Sequence, residues 1–384
     1  MRVVAAIMLA LIVPAAGVAW ALDNETTAPP PKSSVAQPVT QLPTPTGSFA
    51  VGRNVLHLVD GARKDPWTPT QPRELMVSMY YPAHQSDGVR APYATDEESR
   101  LLIEGAELAG VPVQALSKAG TNAVVDAAPV DGSYPLVVLS PGFTGSRFTL
   151  TAVSEELASR GYVVAALDHA GESFGIEFPG GRMSTCVACG RFGDPGALTL
   201  MAQNRARDTA FVLDRLTGPA PIWPHARLID ATRIGMAGHS IGGASAAAAM
   251  ALDPRVRAGV NMDGSFQGVV PSAGLGERPF LMLGVDGQSS PGAGEASWDE
   301  AWTRLHGWKR WLTVVGAEHE SFADVGLLAE QAGAPGKAAL PGNRVVDLSR
   351  IYVATFFDQQ LRGIGQPSVD ALAAAFPEVR TNNP

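Results

Sequence analysis

The chain has 384 residues, of which 46% are hydrophobic and 17% are charged, a composition typical of a globular protein with one large α/β domain or two small domains. The formal net charge is −8, with 29 Lys and Arg against 37 Asp and Glu, and the basic residues form no cluster. This balance argues against nucleic acid and anionic membrane surfaces as main partners.

The N-terminus has the features of an export signal. Met1 and Arg2 give a short positive start, residues 3–18 are apolar, and Ala19-Trp20-Ala21 fits a small-x-small cleavage site. We therefore predict a signal peptide over residues 1–21, with cleavage near Ala21 and secretion to the periplasm or the extracellular medium. An uncleaved membrane anchor is the alternative, although the apolar run is short for a spanning helix.

The next segment and the start of the folded part differ in composition. Residues 22–47 are rich in Pro, Thr, Ser and Gln without apolar periodicity, which predicts a disordered linker. A single catalytic domain is expected over 48–384. Residues 49–59 and 74–81 read as two strands that begin the sheet in antiparallel fashion.

From Tyr134 onward, apolar strands alternate with helices. This pattern predicts an α/β fold with a mostly parallel central sheet, antiparallel N-terminal strands and helices on both faces. Catalytic groups in such sheets lie at the carboxyl ends of the strands. The predicted strands are 135–140, 162–168, 233–238, 257–262, 279–285 and 311–315, and the predicted helices are 97–109, 150–160, 198–216, 241–252, 298–307 and 349–362.

A nucleophile is predicted where the strand 233–238 meets the helix 241–252. Gly238-His239-Ser240-Ile241-Gly242 fits the pattern in which a serine occupies a strained strand-to-helix turn. Ser173, in Gly171-Glu-Ser-Phe-Gly175, fits the same pattern, but the residues after it cannot start a helix. This strand–turn–helix arrangement, called a nucleophile elbow, needs the helix, because the N-terminal amides of the helix stabilise negative charge. We therefore predict Ser240 as the nucleophile.

A serine nucleophile needs a histidine base and an acid, and in this fold both follow the serine along the chain. His306 and His319 are the histidines after Ser240. His306 falls in a predicted helix, whereas His319 follows a strand, so His319 is the predicted base. Asp263 and Asp286 each end a predicted strand, and the residues alone leave the choice of acid open.

Two backbone N–H groups are expected to bind the oxyanion of the reaction. Ile241, directly after the serine, is the first. Phe143 is the second, since it lies in a glycine-containing loop after the strand 135–140. His169, at another strand end, is expected to support the site by hydrogen bonding.

The loop 170–197 is long enough to serve as a lid or as a rim of the substrate site. It holds the chain's two cysteines, Cys186 and Cys189. Because a second Cys pair for a zinc site is missing and the predicted compartment is oxidising, we predict a local disulfide.

Several stretches together resemble the plasma-type platelet-activating factor acetylhydrolases and their bacterial secreted lipase and esterase relatives, of the α/β-hydrolase superfamily. They are Val137–Arg147, Leu157–His169, Met236–Gly243, Asp253–Gly264 and His319–Asp324. The resemblance implies an acid after the strand that follows the elbow helix, which favours Asp263 over Asp286. It also implies calcium-independent hydrolysis of short or oxidised acyl chains on phospholipids.

The sequence thus predicts a secreted serine hydrolase that cleaves carboxylic esters of small molecules or lipids, without a cofactor or a metal. Transient contact with a lipid surface is expected, and an integral membrane partner is not. A polyester- or cutin-degrading hydrolase with Asp286 as its acid and an acyltransferase are the catalytic alternatives. A binding module without activity is the alternative outside catalysis, and it is disfavoured because no triad residue type is missing.

Overall fold

The computed structural model describes residues 40–293, 295–336 and 338–383. The predicted signal peptide and residues 22–39 of the predicted linker lie outside these ranges. The strands of the described chain are β1 (Ala50–Lys64), β2 (Pro72–Ala83), β3 (Val124–Val125), β4 (Tyr134–Ser140), β5 (Val163–Leu167), β6 (Ile176–Phe178), β7 (Arg182–Ser184), β8 (Ile229–His239), β9 (Val256–Met262), β10 (Gly274–Glu277), β11 (Phe280–Val285), β12 (Lys309–Val314) and β13 (Val379–Asn382). The helices are α1 (Asp96–Gly105), α2 (Thr151–Ser159), α3 (Ala197–Thr217), α4 (Ile241–Leu252), α5 (Ala296–Arg304), α6 (Asp324–Gln331) and α7 (Gly342–Arg362).

One large sheet has the strand order β13-β12-β11-β9-β8-β4-β5-β2-β1-β3. The neighbours from β12 to β5 pair in parallel. β2 pairs antiparallel with both β1 and β5, and β13 pairs antiparallel with β12. The predicted fold class, a mostly parallel sheet with antiparallel N-terminal strands, is confirmed.

The central strands are buried toward their carboxyl ends because helices cover both faces of the sheet there. In β4, Leu136 and Val138 pack into one hydrophobic cluster with side chains of α3, α4 and α5. Val137 and Leu139 point to the other face and pack with α2 and α7. The strand ends are thereby held between two packed layers, which fixes the positions of the side chains that follow them.

The N-terminal boundary of the folded part differs from the prediction. Thr40 and Leu42 are buried, with 3% and 1% exposure. The Leu42 amide donates to Gly120 O at 3.0 Å, and the Thr46 amide donates to the Glu156 carboxylate at 2.9 Å. The predicted linker therefore extends too far at its C-terminal end, since residues 40–47 are packed on the domain. Their composition is linker-like, but their backbone polar groups are bonded by the domain.

The loop 170–197 contains regular structure that the sequence did not predict. β6 and β7 pair as a short antiparallel hairpin, and residues 188–191 form a 3₁₀ turn. Strand β13 and helix α6 are also additions to the predicted elements. Among the helices of the described residues, none combines the length and the apolar character that crossing a membrane requires.

Candidate active site

Ser240 is the single residue between β8, which ends at His239, and α4, which begins at Ile241. Its backbone has φ 55° and ψ −127°, a conformation that costs a non-glycine residue on the order of 1–3 kcal/mol. The turn is tight: a Cβ on Gly238 would lie 2.2 Å from the Gly242 carbonyl carbon, and one on Gly242 would lie 2.0 Å from Ser140 O. The glycines of the pattern are therefore required by backbone contact, and the turn holds the serine side chain clear of the sheet.

His319 lies between Ser240 and Asp263. It begins a 3₁₀ turn after β12, and its Nε2 lies 3.0 Å from Ser240 Oγ. Its Nδ1 lies 2.6 Å from Asp263 Oδ2. Because an ionised carboxylate only accepts hydrogen bonds, the proton of a neutral imidazole is on Nδ1. Nε2 is then free to accept from the serine hydroxyl.

Asp263 directly follows β9, and neutral donors satisfy the oxygen that does not face His319. Asp263 Oδ1 accepts from the Val285 amide at 2.8 Å and from Ser289 Oγ at 2.7 Å. The residue is 5% exposed and has a positive φ of 57°. These contacts turn the carboxylate toward His319.

Asp286, the other acid candidate, is placed elsewhere. Its Oδ1 accepts from Ser290 Oγ at 3.2 Å and from Thr313 Oγ1 at 3.3 Å, and its Oδ2 pairs with Arg380 at 2.8 Å. The structure thus brings Ser240, His319 and Asp263 together and leaves Asp286 out of their hydrogen bonds.

The charge of Asp263 shapes the titration of His319. Burial alone would lower the pKa of His319, but the hydrogen bond and the negative charge of Asp263, with a smaller contribution from Glu320, raise that pKa above its ordinary 6.5. The His319 side chain is 37% exposed, so a substrate can reach it. The arrangement therefore stabilises an imidazolium at a position open to solvent.

The two predicted oxyanion amides lie next to Ser240. Ile241 is the first residue of α4, and Phe143 lies in the loop Ser140–Arg147, here named the oxyanion loop. A Cβ on Gly142 would lie 3.5 Å from Ser240 Cβ, so this loop backbone touches the serine. Within the part of the chain that the structure describes, neither the Phe143 amide nor the Ile241 amide has a protein acceptor. Both N–H groups are therefore available to a ligand.

His239 is a part of the site that sequence reasoning missed. Its Nε2 lies 2.8 Å from the backbone carbonyl oxygen of His319, and the two rings lie 4.8 Å apart, centroid to centroid. Burial lowers the pKa of His239, which favours the neutral ring. A neutral His239 can donate from Nε2 and so hold the backbone of His319. The sequence did contain a signal for this role, since His239 lies between Gly238 and Ser240 in the nucleophile pattern.

Asn261 and Ser289 are further residues that sequence reasoning missed. Asn261 Nδ2 donates to Gly264 O at 2.7 Å, and Asn261 Oδ1 accepts from the Gly264 amide at 2.8 Å. These two bonds close the turn that carries Asp263. The buried asparagine at the end of β9 was a signal for such a turn, whereas Ser289 carried no signal in the sequence.

The remaining candidates lie away from His319. Ser173 is 1% exposed and bonds Ser146 Oγ at 2.5 Å, which agrees with its interpretation as a loop residue. His306 was predicted inside a helix, but α5 ends at Arg304, and His306 lies in the exposed turn beyond it. The helix ends early because the chain turns there to enter β12.

The loop 170–197 reaches the oxyanion loop. Cys186 and Cys189 are joined by a disulfide, with Cα atoms 5.3 Å apart. Three residues later, the ring of Phe192 stacks on the ring of Phe143, with centroids 5.1 Å apart and planes at 11°. Phe192 is 50% exposed. The pair therefore presents aromatic surface next to the Phe143 amide.

Comparison with known proteins gives consistent matches. Residues 34–178 match the family described as platelet-activating factor acetylhydrolase, isoform II. A probable 1-alkyl-2-acetylglycerophosphocholine esterase of Arthroderma benhamiae is 28% identical over 371 residues, which cover 88% of this chain and 92% of that protein. A bis(hydroxyethyl) terephthalate hydrolase of Streptomyces coelicolor is 27% identical over 164 residues, 41% of each chain.

A solved structure matches over nearly the whole chain. It is a ferulic acid esterase from Streptomyces cinnamoneus, with a TM-score of 0.79 and 42% sequence identity. The match covers 90% of this chain and 99% of that one. These relatives have in common that their names describe ester hydrolysis.

Proposed function

Because the chain belongs to the platelet-activating factor acetylhydrolase-like esterases of the α/β-hydrolase fold, we propose that it hydrolyses carboxylic esters through an acyl intermediate on Ser240. The observation that carries this mechanism is the position of the His319 imidazole. It contacts Ser240 Oγ through Nε2 and Asp263 through Nδ1.

In the first half of the reaction, His319 Nε2 takes the proton of Ser240 as Oγ attacks the ester carbonyl. The carbonyl oxygen becomes an oxyanion, which accepts hydrogen bonds from the Phe143 and Ile241 amides. Each such donor contributes about 3 kcal/mol of transition-state stabilisation. His319 then gives the proton to the leaving alkoxide, and the acyl group stays on Ser240.

In the second half, water takes the place of the alcohol. His319 Nε2 accepts a proton from water as the water oxygen attacks the acyl carbon, and the same two amides hold the second oxyanion. The proton returns to Ser240 Oγ as the acid product leaves. Asp263 remains ionised throughout, keeps the proton of the neutral ring on Nδ1, and stabilises the imidazolium in both halves.

The test is Ser240→Ala, assayed on p-nitrophenyl acetate. We expect kcat to fall by at least about 10⁴-fold, since the remaining amides and binding contacts cannot supply a nucleophile. Ser173→Ala is the matched control because Ser173 has the same sequence pattern but lies in a buried loop. Turnover by Ser240→Ala close to that of wild type, or loss with Ser173→Ala instead, would refute the assignment.

For the substrate, the named relatives suggest acetylated phospholipids, terephthalate esters and ferulate esters. One observation favours an aromatic ester. The rings of Phe143 and Phe192 stack at the residue whose amide is the proposed oxyanion donor. We therefore expect the group next to the substrate carbonyl to lie beside these rings. Planar groups gain about 0.5–1.5 kcal/mol from such contacts beyond simple burial. We therefore propose aromatic esters together with short acyl esters as the substrate class.

Phe192→Ala tests this preference. We expect kcat/KM for methyl ferulate to fall about 3- to 10-fold, with less than a 2-fold change for p-nitrophenyl acetate. Val187→Ala is the control, since Val187 is a similarly exposed apolar residue of the same loop. Equal losses on both esters would overturn the aromatic preference. An oxidised short-chain phospholipid in the same assay tests the lipid alternative.

Two further tests concern transfer and export. An added acceptor alcohol distinguishes hydrolysis from acyl transfer, and we expect the free acid as the main product. Export is proposed from residues 1–21, and the mass of the mature protein tests it. We expect a chain that starts after Ala21, whereas an intact Met1 would contradict export by cleavage.

A further inference from the structure

A group of buried charged and polar side chains lies beside the oxyanion loop. We name it the buried ionic cluster, and each member is at most 2% exposed. Its members come from β2, the end of β4, the loop after β5, and α3: Arg73, Ser140, His169, Glu172, Arg205 and Asp208.

Four side chains of this cluster form a chain in which each donates to the next, from Arg205 to Ser140, His169 and Asp208. Asp208 accepts from His169 Nδ1 at 2.7 Å. Burial and the charge of Arg205 lower the pKa of His169 to about 4, so the ring is neutral and Nε2 is an acceptor. The Ser140 hydroxyl therefore donates to His169 Nε2 at 2.9 Å. Ser140 Oγ in turn accepts from Arg205 Nη1 at 3.1 Å.

Arg205 also contacts the oxyanion loop itself. Its Nη1 donates to Pro141 O at 2.5 Å, and its Nε donates to Glu172 Oε2 at 2.7 Å. The backbone carbonyl of Glu172 accepts from the Thr144 amide at 2.9 Å. The contacts thus form a closed ring from Arg205 through Pro141, Thr144 and Glu172 and back to Arg205.

Gly142 and Phe143 lie between Pro141 and Thr144, the two residues of the oxyanion loop that these bonds hold. The Gly142 backbone lies against His239 and Ser240, and Gly142 O accepts from the Gly145 amide at 3.3 Å, a bond within the loop itself. The contacts at Pro141 O and at the Thr144 amide attach this locally bonded loop to Arg205 and Glu172 outside it. The position of the Phe143 N–H relative to Ser240 then depends on Arg205.

We propose that Arg205 is a positioning residue, which holds the oxyanion loop so that the Phe143 amide points at the oxyanion. This inference rests on the proposed function and adds to it the group that orders the loop in advance. A lysine does not replace the guanidinium, because one ammonium cannot reproduce the fixed directions of Nε and Nη1.

The experiment compares Arg205→Lys with Arg350→Lys. Arg350 is the matched control because it is also buried and donates through Nη1 to a carboxylate, Glu156, and to a backbone carbonyl, Thr44 O. It lies on α7, and its contacts are with residues outside the oxyanion loop. Both variants keep the positive charge and lose the fixed geometry of a buried guanidinium, so their thermal unfolding temperatures compare the structural cost of the same change at two places.

For Arg205→Lys we expect kcat on p-nitrophenyl acetate to fall about 10- to 100-fold, with KM within about 2-fold of wild type, as for partial loss of an oxyanion donor. Inhibition by phenylboronic acid, which forms a tetrahedral adduct with a serine hydroxyl, should weaken in parallel. Arg350→Lys should keep both values. Equal kcat in the two folded variants would overturn the proposal.

If Arg205→Lys does not fold, Ser140→Ala decides the question. It removes the hydroxyl that Arg205 and His169 share, and we expect a fall of about 3- to 10-fold in kcat at unchanged KM. An unchanged kcat would overturn the proposal. Failure of the proposed function has a different signature, namely a wild type that turns over esters without reacting at Ser240.

Discussion

Two serine–histidine–aspartate arrangements lie at the carboxyl edge of the same sheet. In one, His319 Nε2 lies 3.0 Å from Ser240 Oγ, and its Nδ1 lies 2.6 Å from Asp263. In the other, His169 Nε2 lies 2.9 Å from Ser140 Oγ, and its Nδ1 lies 2.7 Å from Asp208. The interatomic distances are nearly the same, so they do not distinguish a reactive serine from a structural one.

Burial and charge distinguish the two histidines. Neutral donors satisfy the second oxygen of Asp263, and the hydrogen bond and charge of Asp263 raise the pKa of His319 against the effect of burial. Asp208 instead pairs with Arg73 and Arg63, and complete burial, together with the charge of Arg205, lowers the pKa of His169 to about 4. An imidazolium is therefore stabilised at His319 and disfavoured at His169.

Access distinguishes the two serines. Ser140 is 0% exposed, and its oxygen already accepts from Arg205, whereas Ser240 is partly exposed. A general base needs an imidazole that can become charged next to a serine that a substrate can reach. Of the two arrangements, the one at Ser240 meets both conditions.

The largest effect is expected at the acid. Asp263→Asn removes the carboxylate that keeps the proton on Nδ1, and we expect kcat to fall about 10³- to 10⁴-fold. Asp286→Asn should stay within about 3-fold of wild type, because Asp286 bonds Arg380 and Thr313. Ester hydrolysis by the two variants measures this, and a larger loss with Asp286→Asn would reverse the assignment.

The pH profile of kcat/KM tests the raised pKa of His319. The base must be neutral, so activity is present above this pKa and should fall about tenfold per pH unit below it. We expect the midpoint of the acid limb to lie above 6.5. Glu320→Gln removes a charge that raises this pKa and should lower the midpoint slightly. A wild-type midpoint well below 6.5 would contradict the account.

His169 should affect the pH dependence of stability rather than that of catalysis. Its folded-state pKa of about 4 lies below the ordinary 6.5, so between these values the unfolded chain binds a proton that the folded chain does not. The stabilisation is complete above pH 6.5 and is lost as the pH falls toward 4. The loss is on the order of 3 kcal/mol.

His169→Gln should remove this part of the pH dependence. Denaturant unfolding at pH 7 and at pH 4.5 measures it, as the difference between wild type and variant at each pH. We expect the variant's free energy of unfolding to decrease less over this interval. The same decrease in both proteins would show that His169 does not titrate as described.

The smallest effect is expected at the disulfide. Replacing Cys186 and Cys189 with serine opens a short ring, which costs about 2 kcal/mol in the chain-entropy model. We expect a lower unfolding temperature, kcat on p-nitrophenyl acetate within about 2-fold of wild type, and a weaker preference for the ferulate ester. Loss of all activity would mean that the disulfide orders more than the loop carrying Phe192.

The sequence was sufficient for the fold and for the choice of Ser240 and His319. Apolar strands that alternate with helices can pack into only a few architectures. The residues at the strand ends, where the site lies, can be identified from the sequence. Ser240 and His319 could be selected because the nucleophile pattern is local and the chain order of its partners is restricted. Asp263 and Asp286 could not be separated from the residues alone, because both end a strand.

The contacts that hold the site residues in place could not be predicted from the sequence. Ser289, His239 and Arg205 act through atoms that are distant along the chain, such as Asp263, the His319 carbonyl and Pro141 O. Such contacts depend on side-chain directions at the ends of several strands and helices. Residue types and spacing do not carry that information.

Fluorophosphonate labelling followed by peptide mass mapping tests the central claim most directly. The reagent forms a covalent bond with a serine that a neighbouring base activates. We expect one labelled peptide, carrying the adduct on Ser240, and no adduct on Ser140 or Ser173. An adduct on Ser140, or full esterase activity in a protein that takes no label at Ser240, would contradict it.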